Sequence, residues 1–207
     1  MGDTAAPLEP IELLRAEGLG FSHPGRVLLH DLSFRVTAGL TVVRGGDGCG
    51  KTTLLRLLAG DLQPSAGCVL RRAGPPCLAD CSDPRDDPLS VRRWLDGRQA
   101  ASARWDPALQ DALVAGFDLE PHLDKSLFML STGSRRKVGL VAAFAGLADL
   151  VLIDSPYAAL DRRSAALLTD LLREAAAHPA RGWVIADHEL PEGVDPALVA
   201  GIIDLGD

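Results

Sequence analysis

Two rhythms of apolar residues alternate along the chain. Short, nearly continuous apolar runs bounded by glycine, proline and charge predict strands, and stretches with apolar residues every three or four positions predict helices. Residues 11–16 and 32–37 read as strands, the second with clear alternation. The stretch Gly20-Phe21-Ser22-His23-Pro24-Gly25 between them reads as a turn, which predicts an antiparallel flap. Residues 40–43 form a short apolar strand, and residues 54–59 a helix that stops at Gly60. A loop follows over 61–67 by its Pro, Ser and Gly, then a short strand over 68–70. Residues 71–90 carry Pro75, Pro76, Pro84 and Pro88 among several Asp and Arg, and read as irregular. Helical patterns at 91–95 and 107–115, with a short piece near 121–123, look like a helical insertion.

Beyond it, a helix runs from Leu130 to about Leu147, with Ser131 as its N-cap. Residues 150–154 are a continuous apolar strand ending in Asp154, the mark of a strand buried on both faces. A helix over 161–177, a buried strand over 183–186 ending in Asp187-His188, and an edge strand near 198–205 complete the series. The fold class is α/β: a P-loop core with a mainly parallel sheet, an N-terminal antiparallel flap and a small helical subdomain near 85–145. It is read as one domain spanning 1–207.

Composition narrows the classes of function. At 207 residues with 47% hydrophobic positions, the chain can bury a sizeable core. Its net charge of −7 argues against nucleic acid as the main partner. The most apolar stretch, residues 138–153, is interrupted by Asp149 and falls short of the roughly 20 residues a membrane span needs. The acidic start Met1-Gly2-Asp3-Thr4 does not resemble a signal peptide. A soluble chain is expected, whose work at a membrane requires a partner. Cys77 and Cys81 form a C-x₃-C pair with no second pair, so free thiols in a reducing cytoplasm are expected rather than a metal site.

The chemistry concentrates in Gly45-Gly46-Asp47-Gly48-Cys49-Gly50-Lys51-Thr52-Thr53, between a predicted strand and a predicted helix. That is a phosphate-binding P-loop in its proper setting. The glycines let successive N–H groups converge on a phosphate, and the helix N-terminus adds unpaired donors. Lys51 supplies a point charge for the outer phosphates, and the Thr52 hydroxyl can ligate Mg²⁺. The chain has only three lysines against 18 arginines, so a lysine here marks a place where a planar guanidinium fits poorly. Asp154, at the end of an apolar strand about a hundred residues on, supplies the hard oxygen that Mg²⁺ prefers.

Leu130-Ser131-Thr132-Gly133-Ser134 resembles the L-S-G-G-Q signature of ABC ATPases, and Asp154-Ser155-Pro156-Tyr157-Ala158-Ala159-Leu160-Asp161 resembles their D-E-P-T-S-A-L-D stretch. Asp187-His188 resembles their switch histidine, and the order and spacing agree from about residue 11 to 205. The resemblance implies ATP and Mg²⁺ as ligands, held between the P-loop of one ATP-binding domain and the signature of a second, alike or different. Ser131 and Gly133 would face the partner's γ-phosphate, His188 would contact the chain's own, Phe21 would stack on adenine, and Asp161 would cross the dimer interface. An integral membrane permease would be the further partner, placing the chain at the inner face of the cell membrane. The loop near 77–90, with Asp80, Asp83, Asp86 and Asp87, would be the coupling surface.

Departures from the family pattern bear on turnover. Ser155 occupies the place of the Glu that orients the attacking water, and a serine cannot accept its proton at neutral pH. Asp187 or Glu189 is a candidate surrogate. No Gln lies between Gln63 and Gln99, so Asp80 or a neighbour takes the place of the family's loop Gln, and Ser134 replaces the signature Gln. The expected function is the ATP-binding subunit of an ABC transporter, with slow or asymmetric hydrolysis. The alternative is a nucleotide-gated regulator or degenerate half-site with little turnover. A P-loop kinase or GTPase would leave the signature stretch unexplained.

Overall fold

The computed structural model describes residues 10–72 and 74–206; the reading made on Met1 to Thr4 lies outside them. The flap begins with β1 (Glu12–His23) and β2 (Arg26–Thr37), an antiparallel pair joined at Pro24-Gly25. The turn is therefore narrower than the sequence predicts, and Phe21 lies in β1 opposite Leu29. The pair carries register shifts near Ala16–Leu19 and Leu19–Phe21, where Gly18 and Gly20 sit. Such irregularities break the two-residue period and hide the strand from pattern reading. The third flap strand, β4 (Ala66–Arg71), pairs on the other side of β1.

The second sheet is parallel. Its strands are β3 (Gly39–Arg44), β5 (Cys77–Leu78), β6 (Leu150–Asp154), β7 (Gly182–Asp187) and β8 (Val199–Asp204), in the order β5-β6-β7-β3-β8. β5 lies inside the stretch read as irregular; at two residues it is too short to show any period. β8 is an edge strand, as expected.

Five α-helices accompany the sheet among the described residues: α1 (Lys51–Ala59), α2 (Val91–Ala101), α3 (Pro107–Gly116), α4 (Thr132–Ala145) and α5 (Arg162–Ala176). α2 runs to Ala101 rather than 95, because its last turn is made of good helix formers with no apolar signal. α4 ends at Ala145, ahead of Gly146 and a left-handed Leu147 (φ 45°).

Continuous apolar strands make sense in this three-layer arrangement. In β6, Val151 and Ile153 pack with α4, α5 and the other helices of one face, whereas Leu150 and Leu152 pack with α1 and the flap on the other. In β7, Trp183 and Ile185 alternate with Val184 and Ala186 in the same way. Register then sets the site. Val43 and Asp154 both pair with Ala186, so the ends of β3, β6 and β7 form one edge. The loop 45–50, Asp154 and Asp187-His188 all leave from it. The carboxyl edge of a parallel sheet is where α/β folds place ligands.

Candidate functional site

The P-loop wraps from the end of β3 to the first residue of α1. Gly45 has φ 152°, and a Cβ there would lie 2.6 Å from the Gly206 carbonyl oxygen and 2.7 Å from Cys49 Sγ. Gly50 precedes α1 in a left-handed conformation (φ 106°) and gives the helix no side-chain cap. The other long helices are each capped by a side chain. Ser90, Asp106, Ser131 and Asp161 accept from the first turns of α2, α3, α4 and α5. The first turn of α1 thus has donors uncommitted to any side chain, and it contains no acidic residue. A helix end of this kind attracts anions.

Lys51 Nζ folds back over this end, donating to the carbonyl oxygens of Gly45 at 2.6 Å and Gly46 at 2.7 Å. Thr52 Oγ1 donates to Asp154 Oδ2 at 2.5 Å, which closes the P-loop onto the end of β6. Ser155 Oγ donates to the other oxygen, Asp154 Oδ1, at 3.2 Å. Ser155 has φ 45°, and its N–H donates to Ala186 O at 2.8 Å. His188 Nε2 lies 3.3 Å from Asp47 Oδ1, so the residue after β7 meets the P-loop directly. Phe21 is half-buried and edge-on to His23 at 5.7 Å. Its strand partner Leu29 borders Gly50, which puts Phe21 on the flap strand beside the P-loop.

The signature residues lie elsewhere. Ser131 Oγ accepts from Ser134 N at 3.1 Å, and no hydrogen bond among the described residues joins Ser131 or Gly133 to residues 45–53. Gly133 has a reason within this chain: a Cβ there would lie 2.3 Å from the Ala159 carbonyl oxygen. Asp161 caps α5 through Ser164 N at 2.9 Å and pairs with Lys137 Nζ at 2.6 Å. The Lys137 ammonium, then the Ser164 N–H and hydroxyl, hold its carboxyl well below the usual carboxylate range. Replacing Asp161 with Ala should therefore cost about 1 kcal/mol, the usual value of a lost cap. For a carboxylate depressed by folding, this stability is full above an unfolded pKa of about 3.9 and fades as pH falls toward the folded value. The gap between the thermal melts of the two proteins should narrow as pH falls from about 7 to about 2.

A cleft of about 420 Å³ opens beside Asp154, between α1, the residues after β5 and α4. Thr52, Arg56, Asp80, Arg135, Arg136 and Ser155 line it. Asp80 follows β5 and is turned toward Ser82, accepting from its N–H at 2.8 Å and its hydroxyl at 2.9 Å. Arg136 is the contributor that sequence reading missed: a basic residue one turn into a helix gives no sign of what it reaches.

The ABC transporter family's sequence profile matches residues 29–158. The chain belongs to that family. The cytochrome c biogenesis ATP-binding export protein CcmA of Alkalilimnicola ehrlichii is 38% identical over 78% of this chain and 74% of its own length. CcmA of Sphingopyxis alaskensis is 34% identical over 84% of this chain and 87% of its own. A solved ATP-binding subunit of an ABC transporter superposes with a TM-score of 0.73 at 21% identity, over 86% of this chain and 80% of that one, and so supports the fold.

As an ABC transporter ATP-binding domain, the chain has residues that fit the nucleotide and its metal. The uncapped start of α1 and the Lys51 ammonium suit phosphate oxygens. The paired Thr52 hydroxyl and Asp154 carboxylate present hard oxygens, the donors Mg²⁺ takes. Burial pushes the Cys81 thiol up to about 12 and raises that of Cys77, so both stay protonated at neutral pH. No helix among the described residues is long and apolar enough to cross a membrane.

Proposed function

We propose that this ABC domain binds Mg²⁺-ATP at the carboxyl edge of its sheet, closes on a second ATP-binding domain, and so drives a separate membrane permease. The observation that carries this reading is the Thr52–Asp154 contact at the mouth of an uncapped helix that Lys51 overhangs. Lys51 and the N–H groups of the P-loop would hold the outer phosphates. Thr52 and Asp154 would hold Mg²⁺, which when bound neutralises phosphate charge. His188 would exchange its contact with Asp47 for the γ-phosphate, and Phe21 would meet the adenine. Ser131 and Gly133, which make no hydrogen bond to this chain's own P-loop among the described residues, would serve the nucleotide of the second domain. The permease would hold the chain at the inner face of the membrane. The CcmA relatives support an export role in cytochrome c biogenesis.

Ser155 favours a second reading within the same frame, in which binding and closure outlast hydrolysis. Its hydroxyl is turned to Asp154 and cannot take a proton from water at neutral pH. Both readings lead to one experiment. Light scattering of the purified chain with Mg²⁺-ATP should show a dimer that persists for many minutes, and a monomer with Mg²⁺-ADP. A monomer in both, at ATP concentrations that saturate binding, would oppose closure of this chain on a copy of itself and point to a different second domain.

A further inference from the structure

Arg136 stands one turn into α4, the helix that Ser131 caps, and its half-buried guanidinium reaches the end of β6. Nη1 donates to the carbonyl oxygen of Asp154 at 2.7 Å and also to that of Ser155. Among the described residues no carboxylate pairs with it, and its Nε is buried without a partner. A guanidinium taken out of water is costly unless its donors are used. Here the charge is directed at two successive backbone carbonyls.

The geometry of those carbonyls explains the arrangement. Ser155 is left-handed, with φ 45°, a conformation that costs a non-glycine residue on the order of 1 kcal/mol or more. The turn aims two peptide oxygens at one point, where their dipoles repel unless a cation lies between them. The Ser155 N–H is fixed from the other side by Ala186 O at 2.8 Å. The residues flanking Arg136 reach other segments: Arg135 donates to Cys81 O at 2.7 Å and to Asp87 Oδ1 at 2.6 Å, and Lys137 donates to Asp161. One turn of α4 is therefore tied to the segment after β5, the end of β6 and the start of α5.

We propose that Arg136 is a positioning residue. It holds the Asp154–Ser155 turn so that the Asp154 carboxylate meets Thr52 and the side chain at 155 borders the cleft. Because it sits on the helix that Ser131 and Gly133 open, it also passes any displacement of that helix directly to Asp154. The physical warrant is a contiguous hydrogen-bonded link between two sites. The effect on metal binding rests on the assignment of Thr52 and Asp154 to Mg²⁺; the effect on the turn does not.

The test uses the full chain with Arg136→Gln and Arg136→Lys. Without nucleotide, amide exchange at Ser155, bonded to Ala186 O, and at Ala158, bonded to Ser155 O, should quicken about ten-fold in Arg136→Gln, as expected for loss of a charged hydrogen-bond donor. Exchange in β3 and α1 should not change, and Arg136→Lys, which keeps a cation, should recover part of the protection. Unchanged exchange at Ser155 and Ala158 overturns the proposal whatever the nucleotide does. In calorimetry, Mg²⁺-free ATP affinity should stay within about two-fold, while the gain in affinity on adding Mg²⁺ should shrink about ten-fold. An equal loss with and without Mg²⁺ would mean a general structural role and also overturn the proposal. No Mg²⁺ effect in the unaltered chain would instead count against the Thr52–Asp154 assignment. Should Arg136→Gln not fold, Arg136→Lys carries both measurements.

Discussion

Replacing Ser155 with Glu should raise the steady-state ATP hydrolysis rate of the isolated chain about 100-fold, the lower end of what a positioned general base contributes. The cause is local. Ser155 Oγ donates to Asp154 Oδ1, and a serine hydroxyl cannot take a proton from water at neutral pH. The backbone at 155 is already in place, with φ 45° and its N–H on Ala186 O. The residue borders a cleft of about 420 Å³ that Thr52 and Asp154 also line, which leaves room for one more methylene and a carboxylate in place of the hydroxyl. Phosphate release by coupled assay measures the rate. Ser155→Gln supplies the length without the base and should stay at the level of the unaltered chain. No rise in Ser155→Glu, with ATP still bound, would count against position 155 as the limiting one.

The second large effect is on binding. Lys51→Ala should weaken Mg²⁺-ATP binding about 100-fold, since a charged donor contributes roughly 1.5–3 kcal/mol and each 1.4 kcal/mol is ten-fold in affinity. Lys51 is poised by its bonds to the carbonyl oxygens of Gly45 and Gly46, so the ammonium is already at the mouth of α1 when a phosphate arrives. Lys51→Arg should rescue little, because a planar guanidinium does not fit the curl that those two carbonyls define. Isothermal calorimetry gives the affinities, and the circular dichroism spectrum without nucleotide verifies that each variant is folded. Affinity retained in Lys51→Ala would remove the P-loop from the account of binding.

Much of this molecule was legible because its chemistry is written in contiguous residues. β3, β6 and β7 announce themselves as short apolar runs, since strands covered on both faces need no polar alternation. The P-loop is legible for the same reason: turn, donors and lysine all lie within residues 45–52. Ser131 and Asp161 could be placed at helix starts from local pattern, and both cap there. The misses are equally physical. Glycine-rich irregularities hid the middle of β1, and the two residues of β5 gain strand form only by pairing with β6. The Asp161–Lys137 pair spans 24 positions, and the largest cause of the depressed Asp161 carboxyl therefore follows from packing, with the local Ser164 cap adding to it.

The sequence by itself marked a phosphate cradle, the family and the order of the strands and helices other than β5, because phosphate cradles, caps and buried strands are local patterns. Tertiary structure alone decided how these parts meet. It turned Asp154 onto Thr52 across 102 positions, set His188 against Asp47, and packed Gly133 against Ala159. It also gave Arg136 its place on the two carbonyls beside Ser155, a contact that depends on how α4 docks on β6 and that no local pattern of residues encodes.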